Sequence, residues 1–143
     1  MTCTFFGHRD TPKETEPTLR TALEDLILNK NVDTFYVGNN GGFDTMVRLV
    51  LSDLSAIYPI KYYVVLAYLP KTELSYSEHT VFPEGIETVP PRFAISYRNK
   101  FMIDKSDYVV TYVRYPFGGA AKFKELAEKK GKIVIECNQF KNY

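Results

Sequence analysis

Two stretches of the chain place paired glycines just ahead of a helix-forming run: Gly38-Asn39-Asn40-Gly41-Gly42 and Gly118-Gly119. Glycine lets the backbone turn tightly and approach an oxyanion closely. The free N–H groups of the helix start, with the helix dipole behind them, then favour a phosphate. Such corners also occur merely to seat a helix against a strand. Neither stretch is a Walker A loop or a GxGxxG motif. A third stretch, Gly7-His8-Arg9-Asp10, sets imidazole, guanidinium and carboxylate in a row. Arg9 or His8 suits contact with a ligand, with Asp10 orienting one of them. A solvated loop with a helix-capping Asp fits the same residues equally well. Arg98, in Tyr97-Arg98-Asn99-Lys100, has the forked donor geometry that suits phosphate, although a surface charge is the commoner fate of a lone arginine. Glu125 follows Gly119 by roughly two helical turns. It reads either as an acid or base near a ligand, or as part of a charged face with Lys122 and Lys129. Tyr36, Tyr97 and Tyr115 offer rings for stacking on a base, or equally for packing.

Apolar spacing supplies the elements that must position these groups. Thr2–Phe6 reads as a strand that stops at Gly7. Leu19, Ala22, Leu23, Leu26 and Ile27 recur at helical spacing, with Pro17 suited to the first turn. Thr34–Val37 is a second strand, and Phe43, Val47, Val50, Leu51 and Leu54 mark a second helix that Pro59 ends. Tyr62–Ala67 is a third strand, apolar throughout, as expected when both sheet faces are covered. The irregular stretch 68–96 carries Pro70, Pro83, Pro90 and Pro91. Tyr76, Phe82, Ile86, Val89 and Phe93 give it material to pack, so it reads as an ordered flap. A short helix over Tyr97–Lys105, a strand over Tyr108–Val113, a helix opened by Gly118-Gly119 and a last strand over Ile133–Glu136 complete the order. In that last helix Phe123, Leu126 and Ala127 face inward and Gly131 suits the C′ position.

Strands alternating with helices predict an α/β fold: a single Rossmann-like, doubly wound, mainly parallel five-stranded sheet with helices on both faces, spanning 1–143 as one domain. In such sheets a ligand lies outside the strand C-termini. The loops Gly7–Asp10, Gly38–Asp44, the flap from Tyr68 and Arg114–Ala121 reach that edge.

Composition excludes several classes. The formal net charge of +1 argues against a dedicated duplex-DNA binder, which shows a basic excess or stripe. Cys3 and Cys137 sit in short apolar runs and read as buried thiols in a reducing compartment. His8 and His79 lie far apart and no metal-type spacing exists, so neither a metal nor a cofactor is expected. No signal peptide is recognisable. No run approaches the roughly 18 apolar residues of a membrane span. A cytoplasmic chain with no membrane partner is expected.

Four stretches carry a resemblance: CTFFGHRD (Cys3–Asp10), FYVGNNGGFD (Phe35–Asp44), FPEGIETVPPRFAISYRNKFM (Phe82–Met102) and SDYVVTYVRYPFGGAAKFKELAEKKGK (Ser106–Lys132). They resemble the SLOG superfamily, named for the Smf/DprA DNA-uptake proteins and the Lonely Guy enzymes. They look closest to the small bacterial and phage SLOG proteins related to the YpsA group. Lonely Guy enzymes release a nucleobase from a nucleoside 5′-monophosphate through an Arg-Lys-x-x-Met stretch, a later Asp, and P-G-G-x-G-T-x-x-E. Arg98 and Met102 keep the spacing of the first stretch, Asp107 falls five residues after Met102, and Gly118, Gly119 and Glu125 keep that of the last. The resemblance implies Arg98 and Glu125 as a catalytic pair, with Glu125 stabilising a ribosyl cation or activating water. Gly7, His8, Arg9, Gly38, Asn39, Gly41, Gly42, Asp44, Gly118, Gly119 and Ala120 form the candidate ligand-binding set. Phe117, Ala121, Lys122 and Asn99 depart from the signature, and the span from Asp107 to Gly118 is longer. Binding therefore transfers better than catalysis. The first expectation is a sensor or binding module for a nucleotide-type small molecule; the alternative is an N-glycoside hydrolase. Single-stranded DNA binding in the manner of DprA is the weakest, given the near-neutral charge. Lonely Guy enzymes commonly dimerise, which implies a homodimer.

Overall fold

Six parallel strands form one sheet in the computed structural model of the chain, which describes residues 1–68 and 79–137. The strands are β1 (Thr2–Gly7), β2 (Thr34–Val37), β3 (Lys61–Val65), β4 (Thr80–Val81), β5 (Tyr108–Tyr112) and β6 (Ile133–Glu136). Their spatial order is β4-β3-β2-β1-β5-β6. β1 is central: Cys3 lies opposite Phe35 of β2 on one side and Tyr108 of β5 on the other. The chain builds outward from β1 in one direction, then returns and builds in the other. The switch point therefore falls between β1 and β5, where an open α/β sheet offers a crevice.

Period-two alternation along β1 divides the core. Phe5 points to the face covered by α1 (Thr15–Asn29) and α2 (Gly42–Ser55), among Leu19, Leu23, Phe43 and Leu51. Phe6 points to the face covered by α3 (Ala94–Lys105) and α4 (Gly119–Lys129), among Met102, Ile103, Phe123 and Ala127. Each large apolar side chain so buried contributes about 1.5–3 kcal/mol. The doubly wound α/β arrangement expected from the alternation of elements is thus the one formed.

The sheet gains a sixth strand inside the flap. Val64 lies opposite Thr80 and Val65 opposite Val81. Two residues show no periodicity, so pairing with β3 rather than local pattern makes this strand. α3 begins at Ala94, three residues before Tyr97, because a 3₁₀ turn over Pro91–Phe93 leads directly into it. α2 stops at Ser55 and does not reach Pro59. Tyr76 of the flap lies outside the described residues. Cys3 and Cys137 are buried free thiols. No helix among the described residues is long and apolar enough to cross a membrane.

Candidate functional site

The C-terminal end of β1, the starts of α2 and α4 and the middle of α3 enclose a cleft of about 390 Å³. Both glycine corners border it, and they are built alike. Gly41 caps α2 with φ 102° and ψ −177°; Gly118 caps α4 with φ 93° and ψ 179°. These values lie in a region that is essentially glycine-only. Neither helix has a side-chain cap bond.

Their surroundings differ. At α2 the N–H groups of Gly42 and Phe43 donate to Arg9 O (3.0 Å) and His8 O (3.2 Å). A Cβ on Gly42 would stand 2.3 Å from Arg9 O, and one on Gly41 2.6 Å from Arg9 Cγ. The loop after β1 therefore lies across the start of α2 and uses its amides. At α4 a Cβ on Gly118 or Gly119 would meet nothing within 4 Å. The N–H groups of Gly119, Ala120 and Ala121 have no partner among the described residues. They are the donors that every helix start leaves unpaired.

Two charged side chains form the floor. Arg98 is 3% exposed, so the surface reading of this arginine does not hold. Its Nη1 donates to Asn39 Oδ1 (2.9 Å) and Val65 O (3.4 Å), and its Nε to Asn99 Oδ1 (3.2 Å). Its Nη2 has no partner among the described residues. Burial lowers the Arg98 pKa from the ordinary arginine value, and the nearby Asp44 opposes that shift. Asp44, in the first turn of α2, is 9% exposed. Its Oδ2 accepts the Asn40 N–H at 2.9 Å. Burial pushes the Asp44 carboxyl above its ordinary value; the Asn40 amide, Arg98 and Arg48 pull the other way. A Cβ on Gly38 would stand 2.8 Å from Asp44 Oδ2 and 3.2 Å from Arg98 Cζ. Glycine at 38 is what lets these two charged groups share the floor.

The other sequence candidates divide by position. Gly7, His8, Arg9, Asp44, Arg98, Gly119 and Ala120 line the cleft. Gly38, Asn39, Gly41 and Gly42 stand behind that lining, and Gly118 sits at the cap beside it. Glu125 is on the exposed side of α4, its carboxylate 3.1 Å from Lys129 Nζ, and does not line the cleft. His8 Nε2 accepts the Arg114 N–H at 2.9 Å. The His8 ring lies 5.0 Å from that of Tyr115, which in turn stacks on Phe117 at 5.6 Å. Tyr36 packs on Tyr63 and Phe101. The Tyr97 hydroxyl donates to Glu84 O. Ile95, Asn99 and Met102 also line the cleft; Ile95 escapes the sequence reading, and Asn99 and Met102 enter it only for their place in the family signature. Their signal was present: with Arg98 they recur at three and four residues along α3, which is one helix face.

No protein-family model matches the chain, and no curated protein does. Among solved structures, the chain is similar to DNA processing protein A (DprA) from Streptococcus pneumoniae, with a TM-score of 0.69 at 17% sequence identity. The fold is DprA-like. The match covers 94% of this chain and 49% of that one, so the chain spans about half the length of DprA. At this identity the likeness concerns the fold alone. It agrees with the Rossmann-like architecture expected from the sequence.

Proposed function

We propose that the chain is a binding module for a nucleotide-type ligand, with phosphate on the amides at the start of α4 and ribose over Arg98. One observation carries this reading. Unpaired helix-start amides and a buried arginine with a free Nη2 face the same cleft. Unpaired helix-start amides favour an anion, and a guanidinium N–H without a protein partner can donate to a sugar oxygen. The start of α2 is left out of the phosphate site, because Arg9 and His8 already accept its amides. The N-glycoside hydrolase reading draws on Arg98 alone, since Glu125 is exposed and paired with Lys129. The near-neutral charge and the concave cleft favour a small molecule over duplex nucleic acid.

The test is a panel of nucleoside monophosphates, NAD, ADP-ribose and a single-stranded oligonucleotide, followed by thermal shift and by release of free base. A ligand at 100 times its dissociation constant adds about 2.7 kcal/mol, which a melting curve resolves. A shift without base release, lost in Arg98→Gln, supports the module. Base release abolished by Glu125→Ala moves the reading to a hydrolase. If no nucleotide shifts the melting temperature, the proposal fails.

A further inference from the structure

Asp44 is out of place in a cleft that serves only phosphate. A buried carboxylate repels a phosphate, and Asp44 is the acidic side chain among those lining the cleft. It is not consumed by its neighbours. Oδ2 accepts the Asn40 N–H, while Oδ1 has no hydrogen-bond partner among the described residues. Asp44 and Arg98 influence each other's charge, yet no direct ion pair joins them among the described residues. The floor thus presents a free carboxylate oxygen and a free guanidinium N–H. A carboxylate accepts from hydroxyls, and a guanidinium donates to oxygen. A vicinal diol offers both functions at once: O–H donors for one group and oxygen acceptors for the other.

We propose that Asp44 Oδ1 accepts from the ribose 2′-hydroxyl while Arg98 Nη2 donates to the same sugar, so that the cleft selects nucleotides with an unmodified ribose diol. The inference rests on reading the cleft as a nucleotide site. It adds a residue that sets specificity and a class of ligand. 2′-Deoxy forms would cover the free Asp44 oxygen and leave it without a donor. Forms bearing a 2′- or 3′-phosphate bring a second negative charge against it. Both are disfavoured for physical reasons that do not depend on the base.

The experiment compares each ribonucleoside 5′-monophosphate with its 2′-deoxy counterpart by calorimetry, with inorganic phosphate alongside. A charged hydrogen bond to a hydroxyl predicts that the ribo form binds about tenfold more tightly or better. In Asp44→Asn the ribo and deoxy forms converge, while affinity for inorganic phosphate is kept or raised. Equal affinity of ribo and deoxy forms for the unaltered protein overturns the inference and leaves the nucleotide reading standing. Absence of binding by every nucleotide and by inorganic phosphate removes that reading, and the inference with it. The ribo/deoxy comparison needs no variant, so it decides the matter even if Asp44→Asn fails to fold.

Discussion

α2 and α4 start from the same backbone turn, and one start is shut while the other is open. Gly41 and Gly118 agree in φ and ψ to within about ten degrees. At α2 the loop after β1 crosses the turn so closely that neither Gly41 nor Gly42 has space for a methyl group. At α4 both glycines face open space. Paired glycines before a helix therefore report two different things. In one corner they make room for the protein's own backbone; in the other they leave donors free for something else. The conformation at the cap does not tell these apart, and the destination of the first amides does.

That contrast can be broken by single substitutions, read as midpoints of urea unfolding at constant m-value. Gly41→Ala combines a glycine-only backbone conformation with a contact on Arg9 and is expected to destabilise by about 4 kcal/mol. Gly42→Ala pushes on the Arg9 carbonyl without backbone strain of its own and should cost about 3 kcal/mol. Gly118→Ala retains the backbone strain without a clash, so about 2 kcal/mol is expected. A Gly118 variant as damaging as the Gly41 variant would mean that the α4 corner is closed as well. Gly119→Ala should stay within about 0.5 kcal/mol of the parent.

Proton linkage sharpens the same comparison with the smallest effect. The folded state holds the Asp44 proton more tightly than the unfolded chain does. The folded form therefore binds more protons in the window above the ordinary carboxylate value of 3.8. This contribution to stability is fully present below that value and is lost as pH rises through the raised value. Subtracting the pH profile of Asp44→Asn from that of the parent should give a difference that declines across this window. A difference that rises there would show Asp44 to be stabilised as a carboxylate.

Much of this was legible in the chain. α1, α2, α4 and the five longer strands follow from apolar pattern, because burial on two sheet faces marks Phe5, Phe6, Leu19, Val47 and Phe123, whereas the first turn of α3 and the 3₁₀ turns before it left no such mark. β4 left none, since Thr80 and Val81 are held by β3 and have no pattern of their own. The glycine corners were visible, but their unlike roles were not. The choice between them is made by Arg9 O, more than thirty residues before Gly42, and glycine types carry no record of such a neighbour. Arg98 was visible as a candidate on type and spacing, whereas its burial depends on Asn39, Val65 and Asn99. Asp44 stood in the candidate ligand-binding set, but its nearness to Arg98 depends on the absent side chain at Gly38.

The register of β1 has a consequence for how the chain is made. Thr2 and Asp107, which meet at the start of the β1–β5 pair, are 105 residues apart. The central strand is synthesised well before β5, one of its two flanks. Until β5 arrives, one side of β1 remains an unsatisfied ladder of N–H and C=O groups, with Phe6 and its neighbours only half covered. Contacts of such long sequence separation slow folding and prolong exposure to association with other nascent chains. A ribosome-bound fragment ending before Tyr108 should therefore engage chaperones far more than the finished chain.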